Sequence, residues 1–232
     1  MALRIFETDP DARPKARQTF SDDTVGRFHS GISVDGLPKA ISEWRVTTGD
    51  PEVAAAIAEL FGGTPEETDS TSENFIQILT EKGSVLAVLD GPEAIYADMK
   101  LWNRNKLVHH CDGVQHLSPE EKKGRPCGCP ELFAERKQAA NDFMGPAPSI
   151  SVTFRLADDT ELGKFRFQTG SWSMAEVLHE YDAALSRIDG PALCELTLEH
   201  VEYETKKGRH VSYFKPVIRV IKSHSDAIAD PR

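Results

Sequence analysis

The sequence predicts an α+β protein: an N-terminal mixed β part with a loop stapled by a Cys/His cluster, then a ββαββ antiparallel sheet with a packed helix. Three observations carry that reading. Two segments combine a helical apolar stripe with clear start and stop signals. Apolar residues alternate with period two through most of the second half, between turn-forming residues. Three of the four cysteines (Cys111, Cys127, Cys129) and three of the eight histidines (His109, His110, His116) fall between Lys100 and Phe133, which asks for a bound metal.

Residues 1–48 are rich in Asp, Arg, Pro, Gly and Ser, with short apolar pieces at Ile32–Val34 and Trp44–Val46. They read as an extended, loop-rich arm. The first helix follows with Asp50 as N-cap, Pro51 at N1 and a stripe of Val53, Ile57 and Leu60 that stops at Gly62-Gly63. Phe75–Leu79 and Val85–Leu89 read as two strands joined by a turn at Glu81–Ser84. A second pair runs over Ile95–Trp102 and Lys106–Cys111, with its turn at Asn103–Asn105. Alternation along the latter strand puts Leu107, His109 and Cys111 on one face and His110 on the other. After Cys129, Pro130 looks like N1 of a helix with Leu132, Phe133, Arg136, Ala140 and Phe143, which would place Cys129 at the N-cap.

The stiff stretch Gly145–Pro148 marks the expected boundary between a part spanning 49–146 and a ββαββ part spanning 147–222. The latter holds strands at Ser149–Leu156 and Gly163–Thr169, then a helix. Its start reads as a capping box, Ser173 to Glu176, with Trp172 stapled onto Val177 and a stripe of Val177, Leu178, Tyr181, Ala184, Leu185 and Ile188. Strands Leu193–Tyr203 and His210–Ile221 close the part through a turn at Thr205–Gly208. A phase slip between Leu198 and Val201 suggests a bulge, Pro216 suits an edge strand, and residues 223–232 read as a flexible tail. Cys194, inside an apolar strand, reads as core.

The cluster has the chemistry of a structural zinc site: three cysteines and one histidine make a closed tetrahedral set. Cys127 and Cys129 come from one tight turn that Gly128 permits, and Cys111 precedes another, Asp112-Gly113. His109 is preferred as fourth ligand because it is in phase with Cys111; His116, five positions beyond Cys111, and His110 remain alternatives. A catalytic zinc would need an open position and a carboxylate base, for which Asp112, Glu120 and Glu121 are available. A metal-dependent hydrolase is therefore the alternative reading. There is no P-loop, G-x-G-x-x-G, H-E-x-x-H or G-x-S-x-G, and His179 and His200 read as packing or surface residues.

Charge and composition narrow the class. A net charge of −10 opposes a protein whose main task is coating DNA. The small basic groups Arg13, Lys15, Arg17 and Lys206, Lys207, Arg209 read as solvated. No apolar run approaches the ~20 residues a membrane span needs. The start, MALRIFETDPDARPK, lacks an apolar signal region, so the expected location is the cytoplasm, where clustered cysteines serve metals better than disulfides.

The stretches DMKLWNRNKLVHHCDGV, PCGCPEL, MGPAPSI, FRFQTGSW and HVEYETKKGRHVSYFKPV resemble the Streptomyces-phage type of recombination directionality factor. The resemblance extends from the N-terminal arm to the last strand. It implies a protein with no catalysis of its own that acts in the bacterial host cell. Such a factor binds a large serine integrase on its coiled-coil region and redirects it toward excision while inhibiting integration. It implies contact with DNA only through the integrase, and no small-molecule substrate. A direct DNA-binding excisionase is the remaining possibility, and it would show a basic stripe or recognition helix.

Overall fold

Trp44 settles how the N-terminal segment folds. In a computed structural model that describes residues 22–34, 37–68, 73–205, 208 and 210–229, Trp44, Phe28 and Val46 are fully buried. Each such side chain contributes about 2 kcal/mol or more when removed from water. Gly26–Val34 and Leu37–Thr48 are accordingly two paired strands, β1 and β2, where a loop-rich arm was expected; the first part of that arm, residues 1–21, lies outside the described residues. The scattered polar residues misled because β1 and β2 bury only alternate positions over part of their length. Arg13, Lys15 and Arg17, like Lys206, Lys207 and Arg209, lie outside the described residues.

Helix α1 (Pro51–Phe61) is as expected: Glu52 N–H donates to Asp50 Oδ1 (2.8 Å), and Gly62 ends it at φ 77°. Strands β3 (Glu66–Glu67), β4 (Ile76–Leu79) and β5 (Ser84–Leu89) follow. β4 and β5 are consecutive but do not pair with each other: β4 joins β2, and β5 goes to the far side of the sheet. A single 3-10 turn, Pro92–Ala94, leads into β6 (Ile95–Asn103), which forms the expected hairpin with β7 (Lys106–Cys111); β8 (His116–Ser118) adds to β7.

Beyond α2 (Phe133–Asn141) come β9 (Ala147–Leu156), β10 (Lys164–Thr169), α3 (Trp172–Leu185), β11 (Ala192–Glu204), β12 (His210–Ser223) and α4 (His224–Ala229). The sheet order is β12-β11-β5-β9-β10-β1-β2-β4-β3. The two hairpins of the expected ββαββ unit are thus separated by β5, and β1 lies parallel to β10. β9 is the branch point. Its outer half pairs with β6 and its last residues with β5 along one edge, while β10 takes the other edge. Strand pairing therefore crosses the expected boundary at 145–148.

Three local expectations change. α3 is capped by Ser171, whose Oγ accepts the Met174 N–H (3.2 Å), so the cap lies two residues before Ser173 and Trp172 is already helical. The register shift in β11–β12 lies at Leu193/Cys194, with Leu198 to Val201 in continuous register, so their phase slip reflects loss of burial and not a bulge. The tail starts with α4, where the Asp226 N–H donates to Ser223 Oγ. Pro216 does lie in β12, at the end of the strand path.

The sheet curls so that β11 and β12 meet β2 across one core. At its centre Phe28 packs edge-on against Trp44, Phe154 and Phe165 at centroid distances of 5.3–5.7 Å, and Trp44 against Phe167 at 5.1 Å. Cys194 is buried there as expected. β6, β7 and β8 lead away from this core. They carry the Cys/His cluster.

Candidate metal centre

β7 delivers two candidate ligands to one side, His109 and Cys111, and turns His110 to the other. Past the strand, Asp112 Oδ1 accepts the N–H groups of Val114 (2.8 Å) and Gln115 (2.7 Å) and folds the chain back. Gly113, at φ 98°, then points its N–H at Cys111 sulfur. The second turn repeats this design: Gly128, at φ 71°, lets the Cys129 N–H reach Cys127 sulfur. The two turns are tied together, since Cys127 N–H donates to the Val114 carbonyl (2.9 Å). Loop 119–125 is closed by His116 N–H to Arg125 O and Gly124 N–H to His116 O, both 2.9 Å.

The result is one group, His109, Cys111, Cys127 and Cys129, with ligand atoms all within 4.8 Å of one another. Cys111 Sγ and Cys129 Sγ are 3.8 Å apart, and Cys129 Sγ is 3.5 Å from His109 Nε2. A disulfide needs about 2.05 Å. A tetrahedral ion with metal–sulfur bonds of about 2.3 Å and metal–nitrogen bonds of about 2.05 Å needs spacings of about 3.8 and 3.6 Å. The four side chains can hold a metal. The N–H to sulfur bonds from Gly113 and Cys129 are what a thiolate ligand gains from its surroundings.

Protonation fits the same use. Burial, then His116, Lys122 and His110, depress His109 below its ordinary value, so its ring is neutral at pH 7. Burial, then the neighbouring thiols, pushes Cys129 up to about 12, and burial raises Cys111. For Cys127, burial works upward but is outweighed by the Cys129 N–H, the two other thiols and the Arg136 guanidinium, so this thiol lies below its usual value. A divalent ion reverses the burial effect, because a coordinated thiol loses its proton.

The other candidates take different places. His116 lies beside the group, its ring 4.7 Å from that of His109, and its Nδ1 is buried without a partner among the described residues. His110 is held from behind by Asp98 Oδ2 at Nε2 (3.0 Å) and Ser118 Oγ at Nδ1 (2.9 Å). Lys100 Nζ shares Asp98 Oδ2 at 2.9 Å, and the Asp98 side chain is 1% exposed. This polar clamp locks β6, β7 and β8 in the register that presents His109 and Cys111. Asp98 was the signal missed in the sequence, a carboxylate buried in the interior of β6, where only a partnered charge is tolerated.

Cys129 is not at a helix N-cap. α2 starts three residues later than expected, with Leu132 as N-cap, because the Pro130 carbonyl is taken by Arg136 Nε (2.6 Å) and the Cys127–Cys129 turn sets the chain direction. None of its residues is buried. The carboxylates weighed for catalysis are otherwise engaged or exposed: Asp112 caps its turn, Glu120 pairs with Lys123 (3.6 Å), and Glu121 is exposed. His179 is exposed, and His200 Nε2 meets Ser212 Oγ at 2.8 Å.

A family model described as Gp3-like, recombination directionality factor-like, matches residues 25–221. The chain belongs to this family. The Gp3-like match starts one residue before β1 and ends within β12, so it takes in the branched sheet and the whole Cys/His segment. Membership places the chain among recombination directionality factor-like proteins, and so in DNA recombination. No solved structure matches it. Among the described residues, no helix is long and apolar enough to cross a membrane.

Proposed function

We propose that this chain is a recombination directionality factor of the Streptomyces-phage type. It binds a large serine integrase and switches it from integration to excision in the bacterial cytoplasm, without catalysis of its own. The Gp3-like family match over residues 25–221 carries the proposal. The metal segment supports it from the chemical side. Zinc bound by His109, Cys111, Cys127 and Cys129 has all four tetrahedral positions filled, which suits a structural ion and leaves no place for a substrate. The net charge of −10 favours action through a protein partner over direct DNA binding.

The switch is a population shift. The factor binds more tightly to the integrase arrangement that joins the excision substrates. A differential affinity of about 5.5 kcal/mol turns a 1:99 preference into 99:1. The test is recombination in vitro with the serine integrase encoded by the same genome, scoring integration and excision with and without this chain. Excision should appear and integration fall. If both rates stay where the integrase alone sets them, the proposal fails.

A further inference from the structure

The metal-organised segment is the basic part of an acidic protein. Residues 100–137 carry eight Lys and Arg against five Asp and Glu, a net +3, which leaves −13 for the rest of a chain of net −10. Arg104, Lys106, Lys122, Arg125 and Lys137 are exposed there and form no ion pair with a described residue. The same region displays large apolar side chains. Val114 is 70% exposed, Leu132 63%, Phe143 85% and Met144 81%, and Trp102, Val108 and Phe133 are exposed too. Strain supports the last pair. Met144 and Gly145 N–H groups both donate to the Ala139 carbonyl (2.9 and 3.0 Å), which holds Phe143 at φ 57°, in the left-handed region that non-glycine residues avoid. The chain accepts this cost and still turns both side chains to solvent.

Between α2, α3, β6 and β9 lies a cavity of about 190 Å³, lined by Met99, Phe133, Arg136, Ile150, Trp172 and Leu178. Phe133 meets Trp172 edge-on at 5.3 Å. Asp112 and Gly113, the turn that serves Cys111, form another part of its wall. The volume is below the ~300 Å³ where small-molecule sites begin and suits one large apolar side chain. Two carboxylates also line it, Asp98, which is paired with Lys100 and His110, and Asp112, which accepts the N–H groups of its own turn; Arg136 and, on the next position of α2, Lys137 are the positive charges beside it.

We infer that this cavity and its basic, apolar rim are the docking surface for the protein partner. The segment that docks there is acidic and inserts one large apolar side chain into the cavity, against the packed pair Phe133 and Trp172. The inference rests on the reading of the chain as an integrase-binding factor and names the surface used. Charge selects the partner's sign, and the apolar side chain provides the central anchor typical of protein interfaces. The metal has a defined part: it fixes the Asp112–Gly113 wall and the chain entering α2.

The test uses the full chain and the serine integrase encoded by the same genome, with dissociation constants measured in solution. Phe133→Asp should weaken binding about 30-fold, the loss of one anchor residue. The exposed double variant Arg125→Glu/Lys137→Glu should weaken it about 10-fold, with a flatter salt dependence than wild type. Leu79→Ser, an exposed change on β4, should leave affinity unchanged. Zinc content and thermal midpoint show whether each variant folds; where Phe133→Asp does not, the double variant decides. Wild-type affinity in the folded variants overturns the inference while leaving integrase binding intact. No binding by the wild-type chain instead sinks the functional reading. A labelled DNA duplex provides the last arm: if the double variant abolishes duplex binding but keeps integrase binding, the face is a DNA surface and the inference is wrong.

Discussion

Zinc binding should release protons in a number that the cluster's own geometry determines. The perturbation is titration of zinc into metal-free chain at pH 7. Cys129, pushed up to about 12, and Cys111, also raised, carry their protons at that pH. Cys127 lies below its usual value and gives up between none and one. His109 is already neutral and gives up none. Two to three protons should therefore leave per zinc, and the apparent affinity should rise by two to three powers of ten per pH unit. At a free zinc concentration about 100 times the dissociation constant, binding stabilises the fold by about 2.7 kcal/mol. For a chain of this size that is a rise in thermal midpoint of roughly 5–10 °C, reversed by chelator. Calorimetry in two buffers of different ionisation enthalpy counts the protons. Release of fewer than two, or a midpoint indifferent to chelator, refutes the Cys3His assignment.

Three further changes probe the supports of the site and the fold. Asp98→Ala strips Lys100 and His110 of a carboxylate that is 1% exposed; urea unfolding should show a loss of about 3 kcal/mol. Zinc stoichiometry should persist at about 10-fold lower affinity, because Asp98 positions β7 and is not a ligand. His29, beside Thr47 Oγ1 at 2.9 Å, is depressed to about 4 by burial, then by Arg45 and Arg27. Its folded value lies below the unfolded one of about 6.5, so the unfolded state binds the extra proton between them. Stability is full above 6.5 and falls by about 3 kcal/mol as pH drops toward 4, and His29→Gln should remove that component from the pH profile of urea midpoints. Ser171→Ala should cost about 1 kcal/mol, whereas Ser173→Ala should stay within about 0.5 kcal/mol; equal losses would contradict the observed cap.

What the sequence made legible depended on how local the cause was. α1 could be read because Asp50, Pro51 and Gly62 act within one helix, and the β6–β7 hairpin because only two residues, Arg104 and Asn105, separate its strands. β4 and β5 are also close in sequence, yet they do not pair. β5 joins β11, about a hundred residues on, through pairs such as Leu196 with Val85. Such choices are made by burial across the whole core, as Trp44 and Phe28 show for β1 and β2, and no window of alternating residues contains them.

The site shows the same division from another side. The Cys/His grouping was legible because zinc chemistry restricts residue type and number, and the four residues it selects do come together. Their setting was not, and the helix after Cys129 explains why. Pro130-Glu131 is a sound local start signal, but the Cys127–Gly128–Cys129 turn and the Arg136 contact with the Pro130 carbonyl outweigh it and delay α2 to Phe133. That delay leaves Leu132 and Phe133 outside the core, next to Arg136 and the cavity at Trp172. The Cys127–Cys129 turn thus has two consequences, one inward on the Cys/His group and one outward on the surface. If both come from the same turn, Cys127→Ser should lower integrase affinity and zinc content together, and added zinc should restore neither. A variant that loses zinc but keeps full affinity would separate the staple from the surface and show that α2 holds its place without the metal.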